Sequence, residues 1–225
     1  MKNIIYFTAI LALAMVFDSV DAQTINWAGM NEINKPIISA NLGWDYGVTY
    51  GLGFGYQFRI WRFPTIANIE YSIPSGDKRI DDFKTKLGIQ AKLTEFNNFH
   101  VSAKIHGIIR RYESEMVRLV NFGSDMSVVA GYYRKIWFVA AEGGFDKSIV
   151  THFRHSQRAK DRYPNVAGGW YQPSNGGNFY FGLQTGLSFW KNDIYVKAGK
   201  VINQNLETAP MIPFYAQVGY NFRFR

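Results

Sequence analysis

The sequence predicts an all-β fold, a transmembrane antiparallel up-and-down β-barrel whose strands have one apolar and one polar face. The clearest indication is the final segment, Phe214–Phe224, in which every second residue is apolar and the intervening residues are mostly polar or glycine. A period of two is typical of a strand whose two faces meet different surroundings, here lipid and a wet lumen. Composition agrees, since 47% of residues are hydrophobic and 17% aromatic while the mean hydropathy is only −0.16.

The N-terminus predicts export. Lys2 precedes the apolar run Ile4–Phe17, and small residues around Ala22 offer a cleavage site before Gln23. This is the layout of a secretory signal peptide. The run is too short for a membrane-spanning helix of about 20 residues. We therefore expect residues 1–22 to be removed and residues 23–225 to form one domain.

The net charge and the cysteine content exclude further classes of protein. The formal net charge is +8, but the sequence contains no basic run with interleaved aromatic residues of the kind that predicts nucleic-acid binding. Attraction to anionic lipid or glycolipid head groups is the expected consequence of this charge. The chain has no cysteine, so disulfides and lipidation at the cleavage site are excluded.

The strands can be assigned in order along the chain. Even positions from Ile38 to Ile60 are nearly all apolar over a stretch longer than one transmembrane strand of about 9–11 residues, so we predict two strands with a turn near Asp45–Gly47. The remaining strands are predicted at Thr65–Ile73, Phe83–Thr94, Phe99–Arg111, Asp125–Tyr133, Trp137–Asp146 (running on towards Val150), Asn178–Trp190, Ile194–Val201 and Phe214–Phe224. This makes about ten strands, with eight and a partly extramembrane hairpin as the alternative.

The C-terminal residues resemble an assembly signal. Gln217 is followed by Gly219 and then by Phe222 and Phe224, which resembles the terminal signal of outer-membrane β-barrels apart from the trailing Arg225. The chain thus resembles small, porin-like outer-membrane proteins of Gram-negative bacteria. The resemblance implies insertion by the barrel-assembly machinery, an outer-membrane location and a periplasmic C-terminus. A secreted β-sandwich would alternate too, but rarely with such dense aromatics on one face.

The register predicts a polar lumen. Its principal inward residues are Glu70, Lys84, Lys86, His100, Lys104, His106, Arg110, Glu142 and Lys197, joined by Arg59, Asn68, Gln90, Lys92, Ser102, Gln184, Gln217 and Arg223. Cations outnumber Glu70 and Glu142 in this set. Barrels of about eight strands have interiors that side chains can fill, whereas aqueous porins have about 16–18. A lumen packed with salt bridges and water is therefore expected, and a small anion-selective conduit is the alternative.

Residues 151–177 are predicted to form a long extracellular loop with a binding role. The loop concentrates basic residues in its first half and aromatic residues in its second. The candidate binding residues are His152, Arg154, His155, Arg158, Lys160, Arg162, Trp170 and Tyr171. The cations suit lipopolysaccharide phosphates, and the aromatic pair suits a sugar, a head group or another envelope protein.

Catalysis is not predicted. The His100-Val101-Ser102 segment resembles the His-x-Ser pair of outer-membrane lipid A deacylases, but the register places both side chains in the lumen at the periplasmic end. Omptin-type proteases combine loop aspartates, such as Asp77, Asp81 and Asp82 here, with an Asp-x-His pair, which this sequence lacks. No cofactor or metal site is predicted either.

These observations favour a non-enzymatic outer-membrane barrel with a structural, surface-binding or complex-subunit role. A narrow channel for small anionic solutes is the alternative, and an outer-membrane lipid-modifying enzyme is a weaker one.

Overall fold

The computed structural model describes residues 23–30, 34–44, 47–75, 82–174, 176–207, 210 and 212–224. The predicted signal segment 1–22 and the loop residues Asp77 and Asp81 lie outside the described residues. Within them, no helix is long and apolar enough to cross a membrane.

Strands account for most of the described chain. They are β1 (Pro36–Trp44), β2 (Val48–Ile60), β3 (Phe63–Pro74), β4 (Phe83–Phe96), β5 (Phe99–Glu113), β6 (Val117–Tyr133), β7 (Trp137–His155), β8 (Gly169–Tyr171), β9 (Gly177–Phe189), β10 (Asn192–Asn203) and β11 (Phe214–Arg223). A 3₁₀ turn (Trp27–Gly29) precedes β1, and a short helix, α1 (Gln157–Arg162), follows β7.

The sheet closes on itself. Ten strands pair antiparallel in the order β6-β5-β4-β3-β2-β1-β11-β10-β9-β7, and β6 pairs with β7 to complete the ring. The three-residue β8 is an addition, paired with the upper part of β7 at Thr151–Phe153. The prediction of a ten-stranded barrel is confirmed, and the eight-stranded alternative is wrong.

The two ends of the barrel differ. Successive strands meet at short turns on one side, as in the register pairs Ile60 with Phe63 and Phe189 with Asn192. At the other side the connections include residues 156–168, which carry α1. We call these the short-turn end and the long-loop end. Because Ile37 pairs with Arg223, the start of β1 and the end of β11 lie together at the short-turn end.

Residues that alternate along each strand lie on the outer surface of the barrel and in its lumen. In β9, Leu183 is 64% exposed on the outer surface while its neighbour Gln184 is 2% exposed in the lumen. The predicted outward apolar set of β11 lies on the outer face as well. Of the assembly-signal residues, Gln217 is inside and donates a hydrogen bond to Asn41, while the rings of Phe222 and Phe224 meet edge to face at 4.9 Å.

Several strands are longer than predicted, and β6 and β7 exceed their predicted bounds by the most residues. β6 begins at Val117 rather than Asp125, and β7 reaches His155, so residues 151–155 belong to a strand and not to a loop. The ladder continues to the pair Val117–His155, but its register shifts at Phe122/Gly123. The prediction depended on an unbroken alternation of apolar and polar residues. The register shift interrupts this alternation, and so does the polar composition of the parts of β6 and β7 that extend beyond the lipid.

Substitution of Gly219 tests the close packing inside the barrel. A Cβ at this position would lie 2.2 Å from Cζ of the buried Tyr195 ring, so Gly219→Leu must displace that ring. We expect a loss of about 1–3 kcal/mol in the free energy of unfolding, as for other overpacked sites. Urea unfolding in lipid vesicles, followed by the gel-mobility shift of the folded barrel, measures it. Ala216→Leu, on the outer face of β11, is the matched control. An equal loss of unfolding free energy in that variant would contradict the close packing of Gly219 against Tyr195 inside the barrel.

Candidate functional site

The lumen contains the predicted charged residues. Eight of the principal inward residues are buried: Glu70, Lys84, Lys86, His100, Lys104, His106, Glu142 and Lys197. The ninth, Arg110, is half-buried and donates hydrogen bonds to Asn121 and Asp146. Arg59 differs from the prediction, because its side chain is exposed near the short-turn end. At that end of the barrel an inward-facing arginine is long enough to reach water.

Three of the four buried lysines lie near carboxylates across the lumen. Lys86 Nζ lies 2.7 Å from Asp125 Oδ2, and Lys104 Nζ lies 2.7 Å from Glu142 Oε1. Lys197 Nζ approaches the second oxygen of Glu142 at 4.0 Å. Such pairing is required because an isolated buried charge costs several kcal/mol.

Sequence reasoning missed three inward carboxylates. Asp125, Asp146 and Asp193 also face the lumen, where Asp146 pairs with Arg110 and Asp193 with Arg223. These carboxylates reduce the excess of cations that the sequence predicts for the lumen. Asp125, Ser127 and Val129 occupy alternate positions of β6 and all face inward, so the alternation of this strand could have indicated the position of Asp125.

The segment 23–30 enters the barrel at its short-turn end, which the sequence did not predict. Thr24 donates a hydrogen bond to Gln184 and its carbonyl oxygen accepts one from Asn221 Nδ2 at 2.7 Å. Asn26 Nδ2 donates to Ser188 Oγ at 2.7 Å, and Arg223 Nη1 donates to the carbonyl oxygen of Gly29. These bonds attach the segment to the inner wall on several strands.

An apolar cluster completes this closure. Ile25 and Trp27 are each 2% exposed and lie among inward apolar side chains of the barrel. The cluster comprises Ile25, Trp27, Ile37, Ile66, Val129, Tyr133, Phe138, Ala140 and Tyr195. Residues 23–30 and this cluster therefore occupy much of the short-turn half of the lumen, beside an open cleft lined by Trp27, Lys92 and His100.

The long-loop half contains a cavity. Four lysines line it together with three carboxylates and two tyrosines: Lys84, Lys86, Lys104, Lys197, Asp125, Glu142, Asp146, Tyr180 and Tyr215. Tyr180 donates a hydrogen bond to Asp125 at 2.7 Å, and Lys197 lies 5.6 Å from the centre of the Tyr215 ring.

A wider vestibule opens above that cavity at the long-loop end. Lys84 lines both spaces and so stands at their junction. The vestibule is also lined by Arg110 and Arg111 and, further out, by aromatic and aliphatic side chains of β5, β6, β7 and β8.

The rim of the vestibule is held by an ion-pair cluster at the end of β5. Glu113 accepts hydrogen bonds from Arg111 Nη2 at 2.6 Å and from Arg118 Nε at 2.7 Å. Hydrogen bonds from Arg118 and Arg111 lower the pKa of the Glu113 carboxyl to about 2. The carboxylate therefore stays ionised at neutral and mildly acidic pH, where it holds both guanidinium groups and leaves the cluster with a net positive charge.

The predicted binding loop is divided between two faces of the β7–β8 ladder. His152 and Trp170 are register partners, with ring centres 4.8 Å apart, and Trp170 also meets outward-facing Phe122. Tyr171 lies on the opposite face, beside Phe153 in the vestibule. The loop residues do not form one surface.

The other cations of that segment are distributed around the rim. His155 stacks on Phe153, so it faces away from His152. Arg154 is exposed near the end of β7, and Arg158, Lys160 and Arg162 are exposed on α1. Arg158 pairs with Glu115 in the neighbouring turn.

His100 and Ser102 lie buried in the lumen near the short-turn end, as the register predicted. His100 packs on Tyr133 with ring centres 5.0 Å apart, and its Nε2 lies 3.5 Å from Glu95. Ser102 Oγ makes no hydrogen bond, so the two residues do not form the pair that a hydrolase would need.

A closed antiparallel barrel with an apolar exterior and a charged interior defines the chain as an outer-membrane β-barrel. No protein-family model and no curated protein sequence matches it. Among solved structures it is similar to the COG4313 outer membrane channel from Pseudomonas putida F1, at 11% identity and a TM-score of 0.47 over 90% of this chain and 100% of that chain.

Two further structures are similar at lower scores. The KdgM porin is 9% identical with a TM-score of 0.38, over 84% of this chain and 99% of its own. The outer membrane protein OpdK from Pseudomonas aeruginosa is 6% identical with a TM-score of 0.25, over 85% and 98%. At these values the likeness concerns the type of architecture only.

Removing the Glu142 carboxylate tests the lumen pairing. Glu142→Gln leaves Lys104 and Lys197 without the carboxylate that both approach, and breaking a buried pair costs about 3–5 kcal/mol. We expect the free energy of unfolding in lipid vesicles to fall by that amount and part of it to return in Glu142→Gln/Lys104→Met. Asp161→Asn on exposed α1 is the control. An unchanged stability for Glu142→Gln would show that these lysines do not depend on Glu142.

Proposed function

We propose that this protein is a narrow outer-membrane channel for small anionic solutes, closed in the conformation described here by residues 23–30. The observation that carries the proposal is that Lys84 lines both the vestibule and the charged inner cavity, so that one space follows the other along the lumen. The seal below it depends on a short segment that is not a strand of the barrel.

The direction of passage follows from the two ends. Outer-membrane barrels have short periplasmic turns and longer extracellular loops. The vestibule would then face the cell exterior, while residues 23–30 and the end of β11 would face the periplasm. This orientation also agrees with a C-terminal assembly signal that is recognised from the periplasm.

Selectivity would arise at the mouth rather than deep in the lumen. Lys86, Lys104 and Lys197 lie near carboxylates, so they supply hydrogen-bond donors but little net charge. The rim adds the exposed cations of α1 to Arg111 and Arg118, and the whole chain has a formal net charge of +8. A positive field above a narrow opening raises the local concentration of anions.

Opening requires that residues 23–30 leave the lumen. Their hydrogen bonds run to side chains and carbonyls of the wall rather than into a β-ladder, so the sheet would stay closed when they move. Displacement would expose the apolar side chains around Trp27, which keeps the closed state favoured.

The second candidate is a sealed barrel with a surface or subunit role, and the largely occupied short-turn half favours it. In that case the lumen serves stability, and the exposed cations on α1 and at Arg154 bind lipopolysaccharide phosphates or another envelope protein. The loop residues His152, Trp170 and Tyr171 would contribute contacts on two separate faces.

Conductance separates the two candidates. The purified chain lacking residues 23–30 should give steady, anion-selective current steps in a planar bilayer, because the seal is removed while all ten strands remain. The intact mature chain should show far fewer or smaller openings. Trp27→Ala should produce intermittent openings, since Trp27 is buried in the seal.

Trp190→Ala is the matched control, because Trp190 lies at the same end of the barrel but is 91% exposed. It should conduct like the intact chain. Folding of every variant is verified by the gel-mobility shift before recording. Absence of conductance in the folded deletion variant would refute the channel and leave the sealed barrel.

A further inference from the structure

We infer that the outer wall of the barrel at the long-loop end binds the phosphorylated sugar head group of an outer-leaflet glycolipid. The site lies on the outside of β6 and β7, so it is separate from the lumen and the vestibule. The inference goes beyond the proposed channel and rests on it only for the orientation of the barrel. It gives the surface-binding role of the second candidate a defined site.

The outer face of β6 and β7 changes from apolar to basic towards the long-loop end. Phe122 is exposed on the apolar part, and the ring of Trp170 meets both Phe122 and His152. Beyond them Arg118 and Arg154 are register partners. Because alternate residues of a strand share a face, Arg118 lies on the side of Phe122 and Arg154 on the side of His152. Aromatic rings between an apolar belt and cations are typical of the head-group level of a membrane.

Two of these cations face each other across the β6–β7 ladder. Opposite residues of an antiparallel pair have Cβ atoms about 4.5–5.5 Å apart, and like charges at such positions are unfavourable. Arg118 donates two hydrogen bonds of 2.7 Å to Glu113, which also holds Arg111. Among the described residues no carboxylate forms a salt bridge with Arg154. A bound anion would balance Arg154 as Glu113 balances Arg118.

An open cleft beside Arg154 supplies further donors. It is lined by His152 and Arg154 of β7, by Ser156, Gln157 and Lys160 where α1 begins, and by Gly168. No acidic residue of the described chain lines it. Two acids of this region are engaged elsewhere, since Glu115 pairs with Arg158 and Asp161 accepts a hydrogen bond from Gln157. Phosphate oxygens accept charge-assisted hydrogen bonds from arginine and lysine, so the cleft suits a phosphate monoester.

The position of Trp170 favours a glycolipid over free phosphate. Trp170 is 65% exposed and is the register partner of His152, which precedes Arg154 by two residues. A large aromatic ring at this level can pack against a sugar ring while the phosphate on that sugar reaches Arg154. The lipid therefore gains a contact that inorganic phosphate lacks.

Two pairs of substitutions separate this site from general attraction to a basic protein. Arg154→Gln and Arg162→Gln remove the same charge, but only Arg154 lines the cleft, whereas Arg162 is exposed at the end of α1. Trp170→Ala and Tyr171→Ala each remove an exposed aromatic side chain of β8, but Tyr171 lines the vestibule. Only the first member of each pair should affect binding to the outer wall.

Native mass spectrometry of the folded protein in detergent micelles, titrated with bis-phosphorylated lipid A, tests the inference. We expect saturable retention of the lipid and at least about tenfold weaker binding of the same lipid with its phosphates removed. Arg154→Gln should weaken binding by about tenfold and Lys160→Gln by about threefold, because each removes a donor to the phosphate. Trp170→Ala should weaken it by about threefold, whereas Arg162→Gln and Tyr171→Ala should change it by less than about twofold. Inorganic phosphate at the same concentration should not displace the lipid.

Several results would overturn the inference. Equal losses in Arg154→Gln and Arg162→Gln would mean diffuse attraction by the net charge, and equal binding of the dephosphorylated lipid would exclude phosphate as the recognised group. Displacement by inorganic phosphate would mean a site for the free ion. Lack of any saturable lipid binding would leave a protein as the partner of this surface.

The test is independent of conduction. The gel-mobility shift verifies that each variant is folded before the titration. Lipid binding without conductance in the variant lacking residues 23–30 refutes only the channel, and conductance without lipid binding refutes only this inference.

Discussion

The hydrogen-bonding requirement of the backbone in hydrocarbon determines this structure. An unpaired N–H or C=O group in the bilayer core costs several kcal/mol, so a strand that faces lipid must have a partner on both sides. The pairing of β1 with β11 meets that requirement by joining the first strand to the last. Once the ring is closed, alternation sends every second side chain outward to lipid and its neighbours into a confined interior.

That confined interior explains the chemistry of the lumen. A ring of ten strands is too narrow to solvate each charged group fully, so cations and carboxylates pair across it, as Lys86 does with Asp125 and Lys104 with Glu142. At the short-turn end much of the space is occupied by residues 23–30. At the long-loop end longer strands surround a vestibule, and the two ends therefore differ in what they can admit.

Much of the fold could be predicted from the sequence because the period of two is strong wherever lipid meets one face. The strand positions, the barrel and the inward placement of residues such as Lys104 and Glu142 follow from it. The entry of residues 23–30 into the lumen could not be predicted, since Gln23–Met30 has no periodic pattern and its contacts are with residues far along the chain. The extension of β7 to His155 was missed where lipid no longer enforces the alternation, and this hid the opposite orientations of Trp170 and Tyr171.

Amide hydrogen exchange at the seam between β1 and β11 tests the closed ring most directly. If the ring is closed, peptides from Ile37–Trp44 and Ala216–Phe222, measured on the folded protein in lipid vesicles, are expected to be protected as strongly as those from β2 and β10. Fast exchange confined to these two strands would show an open sheet with two free edges. That result would contradict the closed barrel and, with it, the lumen and the vestibule.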